Sequence, residues 1–291
     1  MTPAIPSVAL VLGAALFWAG LDASRKALAD RLPPEPLLVG LTLAPLPLFV
    51  AWMAWGGWMP PTRDYWLPGL TSVGLNWIAN LAFLRALALS PMSVTIPLLS
   101  LTPVFTALLA IPLLGETPTA LQSAGILAVV AGAFLISLRP GDSLRSVLAA
   151  IRRERGAVLM VWVALLWSLA LPLDKMAIQR APAPFHAVIL NGGVALLVLL
   201  RLGSAGRLRE LRLLEGVGLP FVSALLCSFA GLALQLSAIQ RVPVGAVETA
   251  KRGIGSAMAL LVGRWVFAER LPLPRVVAAF LMAVGVALIL V

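Results

Sequence analysis

The chain has few of the side chains on which soluble enzymes and secreted domains depend. Its 291 residues include one cysteine and one histidine, and charged residues make up only 12% of the sequence. Because a soluble domain has about 25% charged residues, this composition excludes an ordinary soluble protein. The single cysteine, Cys227, excludes an intrachain disulfide bond.

Catalytic motifs are also missing from the sequence. It contains no G-x-S-x-G, no H-E-x-x-H and no P-loop. A membrane enzyme needs a cluster of polar residues outside the bilayer, and the loops are too short to hold one. We therefore expect no catalytic residue, no metal site and no cofactor.

Apolar sequence is what the chain has in abundance. Hydrophobic residues make up 60% of it, and the mean hydropathy is +0.99. A helix of about 20 apolar residues crosses a bilayer core about 30 Å thick. The apolar runs predict an all-α membrane protein of ten transmembrane helices, at residues 5–23, 36–55, 65–89, 92–114, 118–138, 156–175, 185–202, 214–239, 244–267 and 273–291.

The net charge of +10 comes mostly from arginines between the apolar runs. Such residues face anionic lipid and report membrane orientation, so we expect membrane lipids and a small-molecule substrate as partners, and no nucleic acid. Fourteen basic residues follow helices one, five, seven and nine, and four follow helices two, six and eight. The bias places the larger set in the cytoplasm and both termini outside.

The two halves of the chain repeat each other. Matching positions are Trp18 and Trp167, Lys26 and Lys175, Glu116 and Glu269, and Gly132 and Gly285. A unit with an odd number of helices returns on the opposite side of the membrane, so the second copy is predicted to be inverted. Inverted repeats place a binding site between the halves, near the bilayer midplane. We predict one five-helix repeat over residues 1–138 and a second over 156–291.

The linker over residues 139–155 has an apolar stripe at helical spacing. Its members are Leu144, Val147, Leu148 and Ile151, and the arginines lie off the stripe. The pattern is typical of an amphipathic helix on an anionic membrane face. A solvated loop is the alternative.

Several short motifs stand in a fixed order along the chain. They are Phe17-Trp18-Ala19-Gly20, Lys26, Pro103 to Ala110, Leu114-Gly115-Glu116 and Gln122 to Gly132. Their order, spacing and duplication resemble the drug/metabolite transporter superfamily, in its ten-helix EamA-type branch, over nearly the whole chain. One departure is that the second copy has Glu248, Lys251 and Arg252 in the region that corresponds to Ser100 to Pro103.

The resemblance implies ten helices around a central cavity in a bacterial inner membrane. It also implies export or uptake of small metabolites. The commoner arrangement in this family has both termini inside, which is the alternative to the orientation that the charge count gives. We predict a secondary active transporter, an exporter of amino acids or organic anions, which works by alternating access as a monomer or homodimer. Efflux of many drugs and flipping of a lipid-linked compound are alternatives. A membrane scaffold or receptor is the alternative from a different class.

Helix nine carries the most unusual residues. Glu248, Lys251 and Arg252 are three and four positions apart, so they share one helix face amid apolar neighbours. Ionisable groups at membrane depth normally face a cavity or a partner. The cations are candidates for binding a substrate carboxylate, with Glu248 as a coupling group. A self-neutralising structural cluster is the alternative.

Other candidate binding residues are aromatic or amide side chains within helices. Trp18 and Trp167 occupy matching positions and are predicted to line the cavity, with packing or an interfacial belt as the alternative. Amides at this depth bind a ligand or hold helices together. The remaining candidates are Trp77, Asn76, Asn80 and Asn191.

Two aspartates are candidates for coupling transport to protons. Asp22 and Asp174 lie at the ends of helices one and six, where a salt bridge with the neighbouring cations is the alternative. His186 is expected to have no special role at an interface. Glu116 and Glu269 are expected to cap the helices that follow them.

Prolines and small residues predict local features of the helices. Prolines in helices two, four and six are expected to kink them. Stripes of small residues predict close helix packing, on helix five at Ala124, Ala128 and Gly132 and on helix ten at Ala279, Ala283 and Ala287.

Overall fold

The computed structural model describes residues 5–56, 59–90, 95–137, 154–215, 218–265 and 273–290. Within these ranges the chain is helical and contains no strand. The α-helices are α1 (Ile5–Ala29), α2 (Pro34–Leu43), α3 (Leu46–Trp55), α4 (Trp66–Leu89), α5 (Thr102–Leu114), α6 (Ala120–Ser137), α7 (Arg155–Ile178), α8 (Ala183–Ser204), α9 (Leu219–Ile239), α10 (Val244–Trp265) and α11 (Leu273–Leu290).

Within the described residues, six helical segments are long and apolar enough to cross a membrane. They are Pro6–Ala29, Pro34–Trp55, Arg63–Leu89, Arg155–Ile178, Ala183–Ser204 and Leu219–Ile239. Shorter apolar helices are Leu98–Leu114, Ala120–Leu135 and Val276–Leu290. Helix α10 has 22 residues, which at 1.5 Å per residue gives about 33 Å, but it carries the charged residues of the candidate site.

Within the described residues the predicted apolar runs are helical, and prolines modify two of them as expected. Predicted helix two is broken into α2 and α3, which meet at Ala44 and Pro45. Predicted helix four begins with a 3-10 segment, Ile96–Leu101, before α5 starts. Pro172, by contrast, lies inside α7 without ending it. Proline lacks an N–H group and clashes with the preceding turn, so neighbouring contacts decide between a break and a bend.

Each half of the chain packs its helices mainly against the other half. The most extensive contacts pair α1 with α9, α4 with α7, and α6 with α11. Contacts of α1 with α10 are matched by contacts of α5 with α7. Because helices of one half pack mainly on helices of the other half, the two sets do not form separate bundles.

The contacts show that several of these pairs are antiparallel. Gly20 of α1 lies against Cys227 of α9, and Gly13 lies against Leu234. Along α5 and α10, Thr102 contacts Arg252, whereas Gly245 packs on Ala107. The sequence number rises on one helix as it falls on the other. Pairs α4–α7 and α6–α11 follow the same rule.

Of the predicted small-residue stripes, Gly132 lies at a close helix contact, whereas several of the alanines do not. Ala124, Ala283 and Ala287 are exposed. The faces of α6 and α11 that meet contain Gly125, Val129 and Gly132 on one helix and Ala278, Met282 and Gly285 on the other. Alanine and glycine look alike as small residues in a sequence, but only glycine lets two backbones touch.

The outer surface of the molecule is apolar. Leu67, Leu219 and Phe280 are among many large apolar side chains with most of their surface exposed. Many polar side chains are buried instead. A soluble protein arranges its residues the other way, so this distribution is typical of a protein that faces lipid.

Candidate substrate-binding site

The candidate site is built around a buried carboxylate in α10. Glu248 is 3% exposed. Its Oε2 lies 3.0 Å from Lys251 Nζ, and its Oε1 accepts a hydrogen bond of 2.8 Å from Arg252 Nε. The spacings of three and four residues place all three side chains on one helix face, as predicted. One carboxylate therefore serves two cations.

Two tryptophans of matching position cover these cations. Lys251 Nζ lies 4.7 Å from the ring centroid of Trp18, and Arg252 Cζ lies 5.9 Å from that of Trp167. The ring of Trp167 in turn packs on Phe83 at 5.2 Å. Cations within about 6 Å of an aromatic face are attracted by its electron density. The predicted tryptophans thus reach the charged face of α10 from opposite halves of the chain.

A third buried cation completes the cluster. Arg25 of α1 is 7% exposed, and its Cζ lies 5.7 Å from the ring centroid of Trp18. Its Nη2 donates to Asn80 Oδ1 at 3.2 Å. Its nearest carboxylate is that of Asp22, at 3.5 Å and 32% exposed. Because helix one was predicted to end at residue 23, Arg25 was predicted to lie in the loop that follows it. Helix α1 extends six residues beyond its predicted end, and this brings the guanidinium inside.

Neutral polar groups also accept hydrogen bonds from the α10 cations. Lys251 Nζ donates to Gln235 Oε1 at 2.8 Å, and Arg252 Nε donates to Thr102 Oγ1 at 3.1 Å. Ser168 Oγ donates to the carbonyl oxygen of Thr102 at 3.1 Å. Helices α1, α4, α5, α7, α9 and α10 all contribute to the cluster, which we call the cationic seam.

The cationic seam holds one positive charge in excess. Its cations are Arg25, Lys251 and Arg252, and its carboxylates are Asp22 and Glu248. Only Glu248 is fully enclosed, and Lys251 and Arg252 already share it. A buried cation without its own counterion is costly in a membrane. The arrangement favours a bound anion.

Two other predicted site residues donate to groups outside the cationic seam. Asn191 donates to the carbonyl of Ala187 in its own helix, and among the described residues it bonds neither Asn76 nor Asn80. The amide of Asn76 donates to Ser72. The indole Nε1 atoms of Trp18 and Trp77 are buried, and neither has a hydrogen-bond partner within the part of the chain that the structure describes. Those two N–H groups are available to a ligand.

Asp174 and His186 form a second polar cluster, which the sequence reading did not foresee. Asp174 was expected to pair with Lys175 at an interface. Its Oδ1 instead lies 3.0 Å from Nε2 of His186 and accepts a hydrogen bond from Ser72 Oγ. His186 Nδ1 lies 3.1 Å from the hydroxyl of Tyr65. A histidine at the predicted start of a helix was read as interfacial because sequence alone does not show that α3, α4 and α7 cover it.

Lys175 reaches a different carboxylate. Its Nζ lies 2.5 Å from Oε1 of Glu116 and donates to the carbonyl of Val242 at 2.9 Å. Glu116 also accepts a hydrogen bond of 2.9 Å from the N–H of Val244, the first residue of α10. It was expected to cap the helix after it. Gly115 ends α5 with a φ of +70° and turns the chain toward α10, so the carboxylate caps that helix instead.

A third ionic cluster lies where α2 begins and α8 ends. Glu35 Oε1 accepts a hydrogen bond of 2.9 Å from Arg85, and Arg201 and Arg207 lie 3.8 Å from its carboxylate. Arg207 donates two hydrogen bonds to the carboxylate of Glu210, and these raise the pKa of its guanidinium. This cluster is more exposed to solvent than the cationic seam.

A small open pocket lies beside Glu116 and is lined by Gln122, Pro243, Gly245 and Ala246 among others. Across the residues that the structure describes, no group of three or more His, Cys, Asp or Glu side chains is placed to hold a metal ion. The predicted linker helix and Glu269 lie outside the described residues.

The family follows from a comparison with protein-family models. The model of the EamA-like transporter family matches the chain twice, at residues 5–138 and 154–291. The chain belongs to the EamA-like transporter family. It is therefore a multi-pass membrane protein of a family of transporters, and the predicted resemblance and duplication are confirmed.

Solved structures share the fold of this EamA-like chain. One, described only as the crystal structure of a protein, aligns over 99% of this chain and 98% of its own with a TM-score of 0.74. Its sequence is 17% identical, so it supports the fold and nothing finer. No curated protein matches the sequence.

Proposed function

We propose that the chain is a secondary active transporter that exports small organic anions, amino acids included, from a bacterial cell by alternating access. The observation that carries the proposal is the excess positive charge buried between two tryptophan faces in the cationic seam. A scaffold has no need of buried charge at its centre, whereas a carrier needs groups that a substrate completes. No cofactor takes part in this scheme.

The substrate's chemistry follows from the two kinds of group in the seam. A carboxylate balances the excess charge and accepts hydrogen bonds from Arg25, Lys251 or Arg252. The faces of Trp18 and Trp167 accept an apolar body, and the unpaired N–H of Trp18 offers a further donor. The excess positive charge disfavours the lipophilic cations that many multidrug exporters carry.

Alternating access follows from a proposed inverted architecture of ten membrane helices. We assign the repeats to residues 1–138 and 156–291, joined by the linker at 139–155. The support is that matching helices run in opposite directions, both in the α5–α10 pair and in the α6–α11 pair. Opposed copies can rock about their shared seam and expose one site to either side in turn.

We orient the protein with both termini outside. Some of the counted basic residues lie within α-helices instead of loops, namely Arg25, Lys26, Arg155, Arg201 and Arg275 of the fourteen and Lys175 of the four. Without them, nine basic residues remain on the cytoplasmic side and three opposite. A reporter active only in the cytoplasm, fused to the C-terminus, tests this, and a strong signal contradicts it.

The transport proposal is tested with purified protein in liposomes. Radiolabelled amino acids, mono- and dicarboxylates and one lipophilic cation are offered, and uptake is compared with protein-free vesicles. We expect saturable uptake of at least one organic anion. Uptake of the cation alone, or of nothing across the panel, contradicts the proposal.

Charge-neutralising variants locate the site. Lys251→Gln and Arg252→Gln should each lower anion uptake about tenfold, which corresponds to about 1.4 kcal/mol. Lys26→Gln is the matched control, since Lys26 pairs with Asp30 on the surface. Lys251→Arg retains the charge and should retain most uptake. If both Gln variants take up the anion as fast as wild type, at equal amounts of folded protein, the cationic seam is not the binding site.

A further inference from the structure

The cluster around His186 joins the two halves of the chain away from the cationic seam. Asp174 and His186 come from α7 and α8 in the second half. Tyr65 and Ser72 come from the first half, just before α4 and within it. All four side chains are buried, and His186 is 0% exposed. Nothing in the proposed binding of a substrate uses them.

Hydrogen bonds link Ser72, Asp174, His186 and Tyr65 in that order. Ser72 Oγ donates to Asp174 Oδ1, so the carboxylate has one neutral donor there. His186 Nε2 lies 3.0 Å from the same oxygen, to which its N–H donates. Nδ1 lies 3.1 Å from the hydroxyl of Tyr65. When the imidazole is neutral, Nδ1 accepts from that hydroxyl, and when the imidazole is protonated, Nδ1–H donates to it.

Among the residues that the structure describes, no cation lies beside the carboxylate of Asp174 except His186 itself when it is protonated. Lys175, next to Asp174 in sequence, is engaged by Glu116. Arg180 donates to the carbonyl of Met176 at 2.6 Å. The only charged residue of α4, Arg85, pairs with Glu35 at the far end of that helix.

The remaining neighbours of the group add no charge to it. Helix α3, which packs on α8, contains no ionisable residue. Arg63 and Asp64, beside Tyr65, are exposed. A buried carboxylate supported only by neutral donors favours uptake of a proton by its surroundings.

We propose that His186 and Asp174 bind one exchangeable proton and that this proton is the ion coupled to transport. The second part of the proposal rests on the transporter role argued above, whereas the first part does not. The proton comes from water and forms a new bond to Nδ1 of His186. The pair changes from one negative charge to an imidazolium–carboxylate pair with no net charge.

Proton uptake also changes the link between the halves. Nδ1 becomes a donor, so the hydroxyl of Tyr65 must accept from it, and the O–H bond of Tyr65 must turn toward another acceptor. The hydrogen bond that joins Tyr65 to α8 thereby reverses direction. A reversed bond at a contact between the two halves links protonation to their relative position, which is what ion coupling requires.

His186 is the only histidine in the chain, so proton binding can be observed directly. Protein labelled with ¹⁵N-histidine, purified with a tag that has no histidine, gives the two ring nitrogen signals of one residue. Between about pH 9 and about pH 5 we expect Nδ1 to change from an acceptor to a protonated nitrogen while Nε2 stays protonated. Ring signals that do not change over this range overturn the proposal.

Two variants identify the partners in the titration. Asp174→Asn removes the carboxylate that stabilises the imidazolium, so the change in Nδ1 should move to more acidic pH. Tyr65→Phe should alter the Nδ1 signal at alkaline pH, where the hydroxyl donates to it. Asp30→Asn is the matched control, because Asp30 is exposed and pairs with Lys26. A titration that is the same in all three variants overturns the assignment.

Transport measurements test the coupling. For the anion found in liposomes, a pH gradient should drive accumulation by wild type. His186→Gln should lower that accumulation about tenfold while exchange of labelled for unlabelled anion at equal pH stays within about twofold. The coupling is overturned if accumulation by wild type is the same with and without the pH gradient. It is also overturned if His186→Gln accumulates as much anion as wild type. Loss of transport for every solute refutes the proposed function and leaves the nitrogen titration to decide proton binding.

Discussion

Two of the contacts that join the halves of this molecule are built from opposite materials. Where α6 meets α11, the backbone oxygen of Gly285 lies 2.7 Å from where a Cβ on Gly125 would sit, and the reverse distance is also 2.7 Å. In the cationic seam, the contacts are ion pairs, amides and aromatic faces.

The two contacts differ in whether their residues favour close packing or access of water. Glycines let two helices approach until neither can accept a side chain, and such packing holds membrane helices together without polar groups. The charges of the seam are expensive in a dry interface, so they favour a state in which water or a substrate reaches them. We infer that the α6–α11 contact holds the halves together while the cationic seam opens.

Breaking the charge balance of the seam should have the largest effect. Glu248→Gln leaves Lys251 and Arg252 buried without their shared carboxylate, and loss of one partner in a buried pair costs about 3–5 kcal/mol of folding free energy. Thermal unfolding in detergent, with recovery of folded protein, measures this. The double variant Glu248→Gln/Lys251→Gln should recover part of the loss. Wild-type stability of Glu248→Gln would show that the seam is already solvated.

Filling the glycine contact should have the next largest effect. Gly285→Val places methyl groups where the backbone of Gly125 lies, and such overpacking costs about 1–3 kcal/mol. Ala283→Val, two residues away on an exposed face, should change stability by less than about 0.5 kcal/mol. The same unfolding assay compares them. Equal stability of the two variants would mean that the close contact adds nothing.

Removing an aromatic face should have a smaller effect, confined to binding. Trp18→Leu removes the ring beside Arg25 and Lys251, an interaction of about 0.5–2 kcal/mol. The apparent affinity for the transported anion should fall while the amount of folded protein stays constant. Trp55→Leu is the control, since Trp55 is 94% exposed. Equal affinities in the two variants would exclude Trp18 from the site.

Charges outside both contacts should matter least. Arg201 is about half exposed and lies 3.8 Å from Glu35, so Arg201→Gln should change stability by less than about 1 kcal/mol. The effect should shrink further as salt is added, because exposed pairs are screened. A larger loss, measured in the unfolding assay at low and high salt, would show that this ionic cluster also holds the halves together.

The charged face of α10 was predictable, whereas its partners were not. Spacings of three and four residues place Glu248, Lys251 and Arg252 together on any helix. Arg25 was missed because the predicted end of helix one fell at residue 23, which turned a buried cation into a loop charge. Tyr65 was missed because one tyrosine near a helix start gives no periodic signal, and its contact with His186 joins residues 121 positions apart.

The sequence by itself determined the class of protein, the helices and the duplication, because these depend on apolar composition and local spacing alone. Only the tertiary structure decided which charges meet. Asp174 contacts His186 instead of Lys175, and Glu116 caps α10 instead of the helix that follows it in the chain. The closest helix contact is between glycines and not between the predicted alanines. Each outcome depends on distances of a few ångströms between segments far apart in the chain, and no local pattern encodes those distances.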